Sequence, residues 1–413
     1  MRMRMWSLVL ALVTASAWAQ HHPAAAAAPN AHAGHGARAE LGSGVAFAPD
    51  GSLWLVGVNA QGGLFVQTAP VGDLAHWGPA RVLATQGDAI SADGENRPKI
   101  AFGPKGWVVV SYTKPLAKPY TAFIRMLRST DGGQTFGAPF TVHADRQEIT
   151  HRFDAIAFDA QGALHTVWID KRDLERAPKV AGKPNYRGAA IYRNVSLDGG
   201  ATFGPDLRVA DHSCECCRIA LAVGADGQMR ALWRHVFAPD VRDHAMAVLD
   251  ASAKAQSQPT GAVPMRATFD DWHINACPHH GPALVAAEQG GFHALWFGVR
   301  QEGKTPVAAV RYGRLNADGS PVLDSVRALP DAGAEHADLQ ADGAHVAVVW
   351  RSFDAGRTSI KAWLSTDGGR TFALQTLGDV AGPNDFPRLV QHGARMVAVW
   401  RLPTEVRVYE LNF

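Results

Sequence analysis

Two cysteine- and histidine-rich segments hold the residues best suited to chemistry. They are His212-Ser213-Cys214-Glu215-Cys216-Cys217-Arg218 and His273-Ile274-Asn275-Ala276-Cys277-Pro278-His279-His280. All four cysteines of the chain lie in them. Thiolate sulfur and imidazole nitrogen are the ligands with which proteins hold copper and zinc. Each segment precedes a short apolar run that reads as the inner strand of a repeated unit, so the two loops are expected to meet on one face. The expected metal ligands are Cys214, Cys216, Cys217, Cys277, His279 and His280, with His212, His273, His151 and His336 in reserve. Cys214 and Cys216 can present two thiolates on one side of an extended chain, because alternate residues share a face.

Other readings of the cysteines stay open. An even count in an exported protein suits two disulfides. Adjacent Cys216 and Cys217 rarely bond to each other, so pairing would use Cys214 or Cys277. The Cys-x-x-Cys spacing of Cys214 and Cys217 permits a redox dithiol, although no βαβ pattern surrounds it. No second such pair completes a zinc ribbon. A c-type haem would need histidine after Cys217, where Arg218 stands; neither haem nor nucleotide is expected.

The elements that position these residues are repeats. Ser43-Gly-Val-Ala-Phe47, Arg97-Pro-Lys-Ile-Ala-Phe102, Arg152-Phe-Asp-Ala-Ile-Ala-Phe158, Arg218-Ile-Ala-Leu-Ala222, Gly281-Pro-Ala-Leu-Val285, Ala337-Asp-Leu-Gln340 and Phe386-Pro-Arg-Leu-Val390 begin similar units. In most, a glycine turn leads to a second strand with an aromatic near its end: Tyr112, Trp168, Trp233, Trp296, Trp350 or Trp400. A period of about 50–65 residues suits four-stranded propeller blades. Seven starts predict an all-β, seven-bladed propeller, with six blades as the alternative. The last unit has room for about three strands, and a strand from the N-terminal side could complete it.

A second repeat carries a family resemblance. Ser129-Thr-Asp131-Gly-Gly-Gln-Thr135-Phe136, Ser196-Leu-Asp198-Gly-Gly-Ala-Thr202-Phe203 and Ser365-Thr-Asp367-Gly-Gly-Arg-Thr371-Phe372 are near copies. The Ser and Asp oxygens can cap backbone N–H groups of a tight hairpin, and the glycines supply positive φ. This pattern resembles the Asp-box, or BNR repeat, of sialidase-like propellers, and the likeness spans the mature region. It implies a fold more than a function. Sialidases clamp a substrate carboxylate with three arginines and add a tyrosine nucleophile with a glutamate partner and an aspartate acid/base. Arg97, Arg152, Arg218 and Arg388 stand at inner-strand starts, with Asp154 beside them, and are the corresponding catalytic candidates. The Phe/Tyr-Arg-Ile-Pro motif is replaced by Asn96-Arg97-Pro98-Lys99, and no Tyr/Glu pair is evident. The Trp-Arg pairs 233/234, 350/351 and 400/401 read as inter-blade packing.

The remaining features bound the setting. Residues 1–19 read as a secretory signal peptide, with a basic start, a short apolar core and an Ala17-Trp18-Ala19 cleavage pattern. Residues 20–40 read as an Ala/Pro/Gly-rich linker carrying His21, His22, His32 and His35, a leader or a metal-gathering tail. The propeller is expected over 41–413. The apolar core of the leader is too short to span a bilayer, which points to a periplasmic or secreted protein. A net charge of +2 with no basic stripe argues against nucleic acid. The expected partners are a metal ion or a small acidic ligand, together with a periplasmic protein. The leading expectation is copper or zinc binding at the channel mouth. The alternatives are a sialidase-like glycoside hydrolase or acidic-glycan binder, a metal-dependent redox enzyme, and an interaction propeller stapled by disulfides.

Overall fold

The computed structural model describes residues 40–178, 187–252, 264–276 and 278–413. The expected signal peptide, the linker apart from Glu40, and Cys277 lie outside them. Among the described residues, strands follow one another into seven antiparallel sheets. The first is β1 (Gly44–Phe47), β2 (Leu53–Val58), β3 (Leu64–Ala69) and β4 (Arg81–Val82); the second is β5 (Lys99–Phe102), β6 (Val108–Pro115), β7 (Ala122–Ser129) and β8 (Phe140–Thr141). The third is β9 (His151–Phe158), β10 (Leu164–Asp170), β11 (Ala189–Ser196) and β12 (Leu207–Ser213), and the fourth β13 (Ala220–Val223), β14 (Met229–Arg234), β15 (His244–Leu249) and β16 (Met265–Arg266). The fifth is β17 (Ala283–Ala286), β18 (Phe292–Glu302), β19 (Thr305–Leu315) and β20 (Pro321–Ala328), and the sixth β21 (Ala334–Asp342), β22 (His345–Asp354), β23 (Arg357–Ser365) and β24 (Ala373–Ala381). The seventh has three strands, β25 (Arg388–His392), β26 (Arg395–Arg401) and β27 (Val406–Glu410). Inner strands pack side by side in chain order, and β25 packs back on β1. The ring is a seven-bladed β-propeller.

The second strand of each blade is covered on both faces by its neighbours, which is why it reads as an almost continuous apolar run. Strands β10 and β14 are buried along their whole length. The aromatic near the end of the second strand is buried and, as a rule, hydrogen-bonded. Tyr112 Oη donates to Asp88, Trp296 Nε1 to Asp270, Trp350 Nε1 to Asp331 and Trp400 Nε1 to the Asp385 carbonyl. Those four acceptors come from the loop that enters the blade; Trp168 uses Asp170 of its own strand. The Trp-Arg arginines latch the next blade. Arg234 donates to the carbonyls of His280 and Phe297, and Arg401 to those of Leu41 and Val58.

The three Ser-x-Asp-Gly-Gly-x-Thr-Phe segments form the same turn between third and fourth strands. In the middle copy Ser196 Oγ bonds Asp198 at 2.7 Å, and the Asp198 carboxylate accepts the Thr202 N–H at 2.9 Å and hydroxyl at 2.6 Å. Each turn also lays a glycine on an aromatic of the preceding blade: Gly133 on Trp54, Gly199 on Trp107 and Gly369 on Tyr312. A Cβ on Gly199 would lie 2.1 Å from the Trp107 ring, at a φ of +67°. Gly199→Ala therefore combines a clash with a left-handed backbone, and should cost roughly 2 kcal/mol or more. Urea unfolding of that variant beside Gly132→Ala, whose added Cβ would meet nothing within 4 Å, separates the clash from the strain.

No strand from the N-terminal side completes the seventh blade among the described residues. The first and last blades are instead joined by buried polar contacts. Asp385 Oδ2 accepts the Ser43 N–H at 3.0 Å, the Ser43 hydroxyl at 2.7 Å and Arg97 Nη1 at 3.1 Å.

Candidate metal centre

The chain leaves β12 and enters the cysteine segment beside the fourth blade. Ser213 bridges His235, and the Cys214 N–H donates to the Arg234 carbonyl at 2.9 Å. This pins the loop against the end of β14 and turns Cys216 and Cys217 inward. The three sulfurs form a nearly equilateral triangle, with separations of 3.8 Å (Cys214–Cys216), 4.0 Å (Cys216–Cys217) and 3.8 Å (Cys217–Cys214). No two of the three are joined to each other, since a disulfide would bring two sulfurs to about 2.05 Å. A point equidistant from the sulfurs lies about 2.2 Å from each, close to the zinc–thiolate bond length of about 2.3 Å.

The surroundings are apolar. The cysteines are buried in the core between the third and fourth blades, among Phe153, Ile169, Ile219, Met229 and Trp233. The hydrogen bond that the Cys217 thiol donates to the Cys214 sulfur, together with burial, pushes Cys217 well above its ordinary range. A metal bound here must displace protons, so its affinity falls as pH falls.

Two further features mark the loop as unusual. In four other blades the entering loop supplies the oxygen that accepts the aromatic's proton, whereas here it supplies cysteines. Trp233 Nε1 is buried without a partner. His244 is also buried with its Nε2 unpartnered, and Cys214 is among its electrostatic neighbours. Burial, with Arg234 alongside, holds His244 neutral well below the usual imidazole range, the state in which an imidazole can bind metal. Nothing in the sequence marks His244; it lies inside a strand pattern that looks like any other.

Among the described residues, none of the histidines expected as ligands falls in the sulfur cluster. His280 and His336 come together at the channel mouth, with ring centroids 4.5 Å apart. His279 is exposed on the loop before them. His212 accepts the Arg187 N–H at 3.0 Å, and His273 meets Asp240 at the surface at 2.7 Å. His151 is stacked on His143 at 3.9 Å in the core, 3.6 Å from both Asp145 and Asp170.

The channel arginines are each paired with an acid. Arg97 meets Asp385 at 3.1 Å, Arg152 meets Asp93 at 3.1 Å, Arg218 meets Glu95 at 3.1 Å and Arg388 meets Asp338 at 3.3 Å. Asp154 is held between Lys99 at 3.0 Å and the Ser111 hydroxyl at 2.6 Å. Burial pushes the Glu95 carboxyl up, but the Arg218 guanidinium and the His336 hydrogen bond outweigh it and keep Glu95 ionised far below the usual range.

No family model and no curated protein matches the sequence. Solved structures match in fold. A PL25 ulvan lyase is 10% identical, over 91% of this chain and 92% of its own, with a TM-score of 0.54. The polysaccharide lyase Uly1 is 12% identical, over 91% of each chain, also at 0.54. YCF48 bound to D1 peptide is 14% identical over 91% of this chain and 94% of its own, at 0.50. At these identities the likeness is one of fold. The class is a seven-bladed β-propeller, and this chain carries a buried cysteine triangle between its third and fourth blades.

Proposed function

We propose that this protein is an exported metal-binding propeller, holding one thiophilic ion, copper(I) or zinc(II), at Cys214, Cys216 and Cys217. The observation that carries the reading is the sulfur triangle of 3.8–4.0 Å edges. Three thiolates alone satisfy copper(I), for which soft sulfur donors are selective. Zinc requires a fourth ligand, for which His244 and Cys277 are the candidates. Burial of all three sulfurs favours a resident ion over one passed quickly between partners.

The test is metal content and affinity of the mature protein, purified reduced, against Cys214→Ser/Cys217→Ser. One equivalent of copper(I) or zinc(II) is expected in the parent, with an affinity loss of at least 100-fold in the variant and an unchanged circular dichroism spectrum. A parent that takes up neither ion, or a variant that binds as well as the parent, would overturn the reading.

A glycan-handling role is the second reading, favoured by the likeness to polysaccharide lyase propellers. The charge pairing of Arg97, Arg218 and Arg388 weighs against a free carboxylate clamp, because a substrate would first have to displace Asp385, Glu95 or Asp338. Depolymerisation of an acidic polysaccharide by the metal-free protein would favour this reading over the first.

A further inference from the structure

The channel mouth holds a second constellation, separate from the sulfurs. Ligand atoms of His280, Glu335 and His336 all lie within 4.8 Å of one another. His336 Nδ1 donates to Glu95 Oε1 at 2.9 Å, which leaves its Nε2 as the lone-pair nitrogen, 3.9 Å from Glu335 Oε2. Glu95 is in turn fixed by Arg218. A carboxylate that binds the far nitrogen of an imidazole is the arrangement by which proteins orient metal-binding histidines.

The geometry points to a second metal site here, in which His280, His336 and Glu335 bind a borderline divalent cation of the zinc(II) type and Glu95 positions His336. Two imidazoles and a carboxylate are a known zinc donor set with room for an exogenous fourth ligand. A small cavity adjoins the group, lined by His280, Gly281, Phe297, His336 and Ala337. The buried His280 Nδ1 and Glu95 Oε2 both lack hydrogen-bond partners, which is costly unless something satisfies them.

The plainer account is a packed column of rings. Phe297, His280, His336 and Phe386 stack in succession, at 4.3, 4.5 and 3.5 Å. Stacking engages the ring faces, however, whereas a metal binds in the ring plane, so the column leaves the edge nitrogens available. It also does not explain the Glu95–His336 bond or the unpartnered atoms. His336 occupies a bulge at a φ of 50°, but Phe153 adopts the same conformation at the matching bulge of the third blade. The bulge is therefore a device of the fold, and the histidine in it is what differs.

The experiment uses the mature chain with Cys214, Cys216, Cys217 and Cys277 all changed to serine, so that its outcome is independent of the thiol site. Zinc(II) binding is followed by calorimetry, and cobalt(II) by absorption. The cobalt spectrum should show weak d–d bands without sulfur-to-metal charge transfer. His336→Phe keeps a ring in the column while removing both nitrogens; it should lower the zinc stoichiometry by one. Glu335→Gln, outside the column, should weaken that same equivalent at least 10-fold. Glu95→Gln should weaken it about 10- to 100-fold with the stoichiometry retained. If the thiol-free protein binds no zinc, or if binding is indifferent to His336→Phe and Glu335→Gln, the mouth is a packing column only.

Discussion

Asp385→Ala should destabilise the propeller by about 3–5 kcal/mol, the usual result of removing one member of a buried ion pair. Four donors converge on this carboxylate: the Ser43 N–H and hydroxyl, Arg97 Nη1 and the Phe386 N–H. They come from the first, second and last blades, so one side chain spans the seam where the ring closes. Arg97 is buried and its Nη2 already lacks a partner. Without Asp385 its charge would be stranded, along with both Ser43 donors. Asp385→Asn keeps one acceptor oxygen and should lose less, while Arg97→Met/Asp385→Asn should recover part of the alanine deficit because no buried charge remains unpaired. Urea unfolding midpoints give the comparison. A loss below about 1 kcal/mol for Asp385→Ala would mean that contacts other than this pair hold the seam.

The architecture was largely legible because it is written in repeats. All seven unit starts, from Ser43 to Phe386, coincide with inner strands, since a strand buried between neighbouring blades must be apolar whatever else the blade does. The aromatic near the end of the second strand was equally plain. Its partner was not: the acids that bond Tyr112, Trp296 and Trp350 lie between 19 and 26 residues away in variable loops. Spacing gives no hint of such a pairing.

The site was half legible. Residue type identified Cys214, Cys216 and Cys217, and local spacing could bring them together because they share one loop. The relation of Cys214 to His280 depends on where two loops settle across the fourth blade, which a single sequence does not encode visibly. Sulfurs and mouth imidazoles accordingly fall into two groups rather than one. Arg97, Arg152, Arg218 and Arg388 stood out as a possible clamp, yet their partners Asp385, Asp93, Glu95 and Asp338 are set by ring closure and blade contact. Pairing with acids, invisible in the sequence, is what changes their chemistry.

The propeller should lose stability steadily as pH falls from about 6.5 toward 4, before its carboxylates titrate in bulk. Burial lowers the pKa of His235 to about 4 and, with Arg314 nearby, that of His293 to about 3. Burial likewise holds His244 and His280 well below the ordinary value. In the unfolded chain these imidazoles take up protons near pH 6.5. Across the interval the unfolded state binds more protons than the folded one, so acid favours unfolding. Asp93 and Asp243 oppose this, because burial raises their carboxyls and the folded state takes up their protons first. The histidines outnumber them and have the earlier onset. At about 1.4 kcal/mol per pKa unit, even His235 and His293 alone account for several kcal/mol by the bottom of the window. Urea midpoints at pH 7.5, 6 and 5 should therefore fall in that order. His293 Nδ1 lies 2.6 Å from Tyr312 Oη, so His293→Gln retains a polar partner for the hydroxyl while removing a titrating group, and its midpoint should depend less on pH than the parent's. Midpoints that hold level or rise between pH 7.5 and 5 would show that the buried imidazoles do not govern acid stability.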